Sequence, residues 1–83
     1  MPDITITMRL FGAFREHGGT VTFTVPSGST PADVKAGLAR ALPMADEALI
    51  RDSALATNTQ ILGDDALLSQ DSQLAILPPV CGG

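Results

Sequence analysis

Two segments near the start of the chain alternate apolar and polar residues, and they constrain the fold more than any other feature. In residues 4–11 every second side chain is apolar, which is the period of a β-strand with one face on a core. The opposite face carries Thr5, Thr7, Arg9 and Phe11. Residues 20–25 repeat the pattern, with valine and phenylalanine inward and threonine outward. The two segments predict a β-hairpin whose longer loop, residues 12–19, contains a Gly-Gly turn.

A helix is predicted to follow this hairpin. Thr30 or Ser29 is suited to cap its start, and Pro31 fits the first helical position. Apolar side chains then recur at helical spacing, in Val34, Leu38, Ala41 and Leu42. Gly37 costs helix stability of about 1 kcal/mol relative to alanine, so we expect a close approach to the sheet there. Pro43 ends the helix.

The second half of the chain predicts shorter elements. Residues 44–52 fit a short irregular helix, and residues 55–62 fit two short strands joined by a tight turn. Leu67 and Leu68 are expected to close one end of the core, and a last strand covers residues 73–77. One helix packed on one face of a sheet is the simplest arrangement that buries these patterns, so the predicted fold class is α+β.

Length and charge limit the classes of function. A chain of 83 residues suits one small domain. With a net charge of −4 and five Lys or Arg residues, it lacks the clustered basic footprint of nucleic-acid or anionic-membrane binders. A partner with a basic docking face fits this charge better. Neither a signal peptide nor a membrane-spanning apolar stretch is recognised, so we expect a cytoplasmic protein.

The last six residues, 78–83, form a segment unlike the rest. Two prolines remove amide donors and favour an extended rod, and Gly82 and Gly83 form a slender end that fits a narrow cleft. Six extended residues reach roughly 20 Å at most. We therefore divide the chain into a domain over residues 1–77 and a flexible tail over residues 78–83. The carboxylate of Gly83 is the predicted functional group.

The side chains show no catalytic constellation. His17 is expected to be solvated, because it lies in a loop without a neighbouring nucleophile or second ligand. The carboxylates fall in turns and polar stretches, where they serve solvation and helix capping. Cys81 has no cluster of metal ligands to join. We expect neither a metal site nor a cofactor bound by the chain itself, and no enzymatic site of its own.

Three segments carry a resemblance to a known family. Residues 77–83, Leu-Pro-Pro-Val-Cys-Gly-Gly, resemble the C-terminus of the small subunit of molybdopterin synthase and of the related ubiquitin-like sulfur carriers. Residues 10–16 resemble the end of that family's first strand and its following Arg-Glu turn. Residues 56–60 resemble its short hairpin around an asparagine. The three segments occur in the family's order along the whole chain.

The resemblance implies a β-grasp fold, a mixed sheet of four to five strands on one main helix. It implies that a ubiquitin-activating-like adenylyltransferase uses ATP to adenylate the Gly83 carboxylate. A sulfurtransferase then supplies sulfur, and the resulting thiocarboxylate donates it to the molybdopterin precursor in a large catalytic subunit. The residues that thread the tail into these partners are Pro78, Pro79, Val80, Cys81 and Gly82. Cys81 departs from the family pattern. It is either a tolerated small residue or a thiol that holds a persulfide or acyl intermediate or forms a disulfide with a partner.

The β-grasp fold places the first and last strands side by side, which suggests a docking surface. Phe11 on the outer face of the first strand would meet Ala75 and Leu77 on the last strand, beside the root of the tail. Such an exposed apolar patch suits partner binding, and Arg15 would flank it. The alternative is that a loop or Phe14 covers Phe11.

The sequence is also compatible with other functions. The sulfur could serve thiamine thiazole, cysteine, methionine or thio-natural-product synthesis, since similar tails occur in those carriers. A ubiquitin-like modifier would instead be joined to target lysines through Gly83. A plain interaction module would not need the two terminal glycines.

Overall fold

The computed structural model describes residues 2–79, which form one mixed sheet with two helices on one side. Along the chain the elements are β1 (Asp3–Leu10), a 3-10 helix (Gly12–His17), β2 (Thr20–Pro26), α1 (Pro31–Ala41), α2 (Glu47–Asp52), β3 (Ala54–Ala56) and β4 (Ser72–Leu77). The predicted irregular helix in residues 44–52 is therefore α2, and Asp46 caps it by accepting from the amides of Ala48 and Leu49. No helix in this part of the chain has both the length and the apolar character to cross a bilayer.

The four strands lie in the order β2-β1-β4-β3. β1 pairs antiparallel with β2 and parallel with β4, and β4 pairs antiparallel with β3. The predicted hairpin and the predicted contact between the first and last strands are both confirmed. Because β1 and β4 are the two central strands, the chain that follows β4 leaves the sheet from its middle.

The core lies between the sheet and the helices. The inward residues of β1 are 5% exposed or less, as the alternation predicted. The core contains Ile4, Ile6, Met8, Leu10, Phe14, Val25, Val34, Leu38, Leu42, Ile50, Leu55, Leu74 and Ile76. Phe14 enters it from the 3-10 helix and is 1% exposed. Phe14 is thus a core residue and not a cover for Phe11.

Helix α1 begins and packs as its sequence predicts. The Thr30 hydroxyl accepts from the amide of Asp33 at 3.4 Å, and the Asp33 carboxylate accepts from the amide of Thr30 at 3.0 Å. This reciprocal capping box satisfies two amides that a helix start leaves free. At Gly37 a Cβ would lie 3.0 Å from the side chain of Val25 and 3.1 Å from Phe23. The glycine therefore permits the close approach of α1 to β2.

Two expectations for the second half of the chain are confirmed only in part. Leu67 is 68% exposed and does not close the core, while Leu68 is partly buried against it. The backbone of Leu68 pairs with that of Ser29, and this turns the preceding side chain outward. The second short strand in residues 55–62 is reduced to one bridge between Ala56 and Ile61. The predicted tight turn is present, because the Thr57 hydroxyl accepts from the amides of Thr59 and Gln60. Beyond the bridge, the amide of Leu62 donates to the carbonyl of Leu55.

Candidate functional site

The outer face of the sheet, opposite α1 and α2, contains a shallow groove beside the end of β4. It has a volume of about 260 Å³. We call it the sheet groove, and it is lined by Arg9, Phe11, Ala56, Thr57, Asn58, Gln73, Leu74, Ala75 and Leu77. The strand register explains the grouping, because Arg9 is directly paired with Ala75 across the two central strands. Three of the four predicted docking residues, Phe11, Ala75 and Leu77, therefore lie together.

The cation of the sheet groove is Arg9. Its guanidinium carbon lies 5.5 Å from the centroid of the Phe11 ring, which is cation–π range. Arg15, the predicted flanking cation, is exposed on the 3-10 helix and does not line the groove. The alternation of β1 already placed Arg9 and Phe11 on one face, so this signal was available in the sequence. The groove thus offers a planar aromatic ring and a positive charge to a partner.

The partly apolar floor of the groove has a polar rim. Phe11, Ala75 and Leu77 are each partly exposed, while Asn58 and Gln73 are exposed. Protein interfaces commonly combine an apolar centre with a rim of hydrogen-bonding groups. The arrangement suits recognition of a protein surface, and its small volume does not suit an enclosed ligand of drug size.

The root of the predicted tail is held on both sides. Leu77 is the last residue of β4 and pairs with Ala54 of β3. Pro78, which is partly buried, packs against Gly12 at the start of the 3-10 helix. Gly12 has a φ of 59°, and a Cβ there would lie 2.7 Å from Cγ of Pro78. Gly12 therefore admits the proline ring and fixes where the chain leaves the body.

The reactive end itself lies outside the described residues. Val80, Cys81, Gly82 and Gly83 belong to that stretch, so the roles predicted for them stay predictions. Pro79 is described and exposed. The boundary between a 1–77 domain and a 78–83 tail also stays a prediction, although Pro78 already contacts the body.

His17 is less solvated than expected. Its side chain is 17% exposed, and its Nε2 lies 3.6 Å from a carboxylate oxygen of the exposed Glu16. The 3-10 helix causes this, because it folds the loop of residues 12–17 onto the body of the protein. In residues 2–79 no group of three or more His, Cys, Asp or Glu side chains could hold a metal ion.

Comparisons with known proteins agree on one family. The chain matches the ThiS family over residues 8–83. It is 38% identical to the molybdopterin synthase sulfur carrier subunit of Synechococcus elongatus, over 95% of this chain and 97% of that protein. This confirms the resemblance recognised in the three sequence segments.

Two solved structures share the fold at low sequence identity. The SAMP1 protein of Haloferax volcanii has a TM-score of 0.73 and 22% identity, over 95% of this chain and 99% of that one. A ubiquitin of Caldiarchaeum subterraneum has a TM-score of 0.66 and 14% identity, over 99% of this chain and 100% of that one. With the mixed four-stranded sheet packed on α1, these likenesses establish the ubiquitin-like β-grasp fold. By its match to the family over residues 8–83 and its 38% identity to the Synechococcus elongatus protein, the chain belongs to the ThiS family.

Proposed function

We propose that this chain is a sulfur carrier that serves molybdopterin biosynthesis as the small subunit of molybdopterin synthase. The observation that carries the proposal is the 38% identity, over 95% of the chain, to a relative named as a molybdopterin synthase sulfur carrier subunit. The sequence Leu-Pro-Pro-Val-Cys-Gly-Gly over residues 77–83 supports it. We place this chemistry in the cytoplasm, together with its partner enzymes.

The proposed reaction takes place at the carboxylate of Gly83. A carboxylate oxygen attacks the α-phosphorus of ATP in an adenylyltransferase, which forms an acyl-adenylate and releases pyrophosphate. A sulfurtransferase then delivers sulfur at the oxidation level of sulfide. This sulfur attacks the acyl carbon, and AMP leaves with the electron pair of the broken C–O bond. The resulting thiocarboxylate passes its sulfur to the molybdopterin precursor in the large subunit, and water restores the carboxylate. The partner enzymes supply every catalytic side chain in this scheme.

The described part of the chain presents the reactive end. Pro78 lies against Gly12, so the chain leaves the sheet in a defined direction. Pro78 and Pro79 each lack an amide donor and have a restricted φ, which favours an extended path away from the body. The sheet groove lies beside this exit, since Leu77 lines the groove and precedes Pro78. A partner that docks in the groove would therefore have its active site within reach of the tail.

Replacing Phe11 or Leu77 by alanine is expected to weaken binding of the large subunit or the adenylyltransferase by roughly tenfold, which is typical of truncating an interface hot spot. Both side chains are only partly buried, so the fold should persist. Isothermal titration with each purified partner measures the affinity. Met44→Ala is the matched control, because Met44 is 87% exposed and does not line the groove. Affinities equal to that of the parent chain in both variants would show that the groove is not the docking surface.

The pathway is tested by reconstitution. The chain is prepared with a C-terminal thiocarboxylate by cleaving an intein fusion with sulfide, and is mixed with the large subunit and the molybdopterin precursor. We expect product in proportion to the thiocarboxylate added, and none from the carboxylate form. If the thiocarboxylate does not react in this mixture but donates sulfur in a separate assay with a thiazole or cysteine synthase, the chain belongs to that other sulfur pathway. Conjugates to target lysines, with no sulfur transfer, would assign it to the protein modifiers.

A further inference from the structure

A second cavity, larger than the sheet groove, lies on the helical side of the protein and shares no lining residue with it. It is a partly open groove between α1 and α2 with a volume of about 680 Å³. We call it the helix groove, and its charged and large apolar lining residues are Lys35, Arg40, Glu47, Ile50, Arg51 and Asp64. A partner docked on the sheet would leave the helix groove accessible.

The floor of the helix groove is apolar and shallow. Ala32, Ala36 and Ala39 recur at helical spacing on the outer face of α1, and Ile50 closes the floor from α2. Short alanine side chains let a second backbone approach the helix closely. The floor thus provides contact area for an extended segment with small apolar side chains.

Positive charge is concentrated around this floor. Lys35, Arg40 and Arg51 are three of the five basic residues of the chain. Glu47 and Asp64 line the same groove, which leaves it with a net charge of +1 in a chain whose net charge is −4. The helix groove is therefore positive on a protein that is otherwise negative.

These cations have no acidic partner among residues 2–79. No carboxylate oxygen there lies within 4.0 Å of Lys35, Arg40 or Arg51. The ammonium of Lys35 donates to the backbone carbonyl of Arg51 at 3.0 Å, which ties α1 to the end of α2. The guanidinium groups of Arg40 and Arg51 belong to exposed residues. Each can offer paired N–H donors to a carboxylate, a geometry in which arginine binds strongly.

We propose that the helix groove binds an acidic segment of a partner protein, with two carboxylates paired to Arg40 and Arg51 and small apolar side chains on the alanine floor. Charge complementarity selects this occupant, because three of the five basic residues of an acidic chain lie together in this groove, and no carboxylate of residues 2–79 is paired with them. The groove is open to solvent, so it admits an extended peptide that enters and leaves along the surface. The inference stands apart from the proposed sulfur chemistry and needs neither Gly83 nor the sheet groove.

A labelled peptide tests the proposal. The probe is a fluorescein-tagged peptide of alternating glutamate and alanine, and the reference is the same peptide with glutamine in place of glutamate. We expect fluorescence anisotropy to show binding of the glutamate peptide only, and weaker binding as salt is raised. The double variant R40Q/R51Q should weaken the affinity about tenfold, as expected from the loss of two ion pairs.

A matched double variant provides the control. R9Q/R15Q removes the same two charges from outside the helix groove, and should change the affinity of the peptide less than about twofold, since distant surface charges are screened. Circular dichroism melts confirm that both double variants are folded. Equal weakening by both would overturn the proposal, as would equal binding of the two peptides. Binding of citrate but not the peptide, or a dimer that R40Q/R51Q dissociates, would replace the proposed occupant with a small anion or a second copy.

Discussion

A chain with alanine in place of Gly12 is expected to lose stability and to load sulfur on Gly83 at least about tenfold more slowly, because misplacing a reacting group by about 1 Å can cost far more than that. Two effects act together. Gly12 has a φ of 59°, and a residue with a Cβ pays about 1–2 kcal/mol in that left-handed region. The new Cβ would also lie 2.7 Å from Cγ of Pro78, so the proline ring must move and change the path of the tail.

Gly28→Ala separates these two effects. Gly28 also has a positive φ, 88°, but nothing lies within 4 Å of a Cβ built there. It should therefore destabilise the fold by about 1–2 kcal/mol and leave the loading rate of folded protein unchanged. Urea unfolding measures the stability, and single-turnover loading by the adenylyltransferase and sulfur donor measures the rate.

The contact with Pro78 can itself be tested by a second substitution. Pro78→Ala removes the Cγ that the new Cβ of Gly12→Ala would meet. The double variant should therefore be more stable than the sum of the two single effects predicts, which a double-mutant cycle measures directly. Additive effects on stability would mean that Gly12 does not act through Pro78. Equal loading rates for Gly12→Ala and Gly28→Ala would mean that the contact with Pro78 does not affect sulfur loading.

The second large effect is expected from Phe14→Ala, which should destabilise the fold by about 3–5 kcal/mol. Phe14 is 1% exposed and fills the core from the 3-10 helix. Since domains are typically stable by about 5–15 kcal/mol, this loss would leave a chain of 83 residues close to unfolding. Calorimetry or urea unfolding checks the value.

Phe11→Ala is the control for Phe14→Ala. Phe11 is partly exposed on the outer face of the sheet, so its truncation should reduce stability by less than about 1 kcal/mol, as is usual for surface positions. Its effect should appear in partner affinity instead. If the two variants were equally stable, the assignment of Phe14 to the core and Phe11 to a docking surface would be wrong.

Local patterns in the sequence predicted most of the central fold. The alternation in β1 and β2 gave both the strands and their buried faces, and Thr30 and Pro31 gave the start of α1. Gly37 predicted a close approach of α1 to the sheet, and the structure places it against Val25 and Phe23 of β2. These features depend on neighbours in sequence, so periodicity and capping chemistry reveal them.

The features that were missed depend on contacts distant in sequence. Phe14 lies in a 3-10 helix of six residues, too short to show a period, so its burial was not foreseen. Arg51 joins Lys35 in the helix groove only because α2 packs beside α1. The choice of Arg9 over Arg15 beside Phe11 depends on where β1 ends, since Arg15 follows it on the 3-10 helix.

The candidate site likewise combines features that sequence patterns predicted with contacts between distant residues that they could not predict. Residue pattern and strand order together predicted that Phe11, Ala75 and Leu77 lie side by side, and the register of β1 and β4 explains why. The contact between Gly12 and Pro78 could not be predicted, because it joins two residues that are far apart in the chain through a left-handed backbone turn. The roles of Gly83 and Cys81 depend on partner enzymes and therefore on experiment.

The central claim is that the carboxylate of Gly83 carries sulfur, and intact-mass spectrometry tests it most directly. The chain is incubated with the adenylyltransferase, ATP and a sulfur donor, beside a chain with one alanine appended after Gly83. We expect a mass gain equal to the exchange of one oxygen for sulfur, located in the C-terminal peptide, only with ATP and only in the chain that ends at Gly83. As a positive control, the same adenylyltransferase loads its own carrier in a parallel reaction. If that control succeeds and the mass of this chain is unchanged, the claim that Gly83 carries sulfur is contradicted.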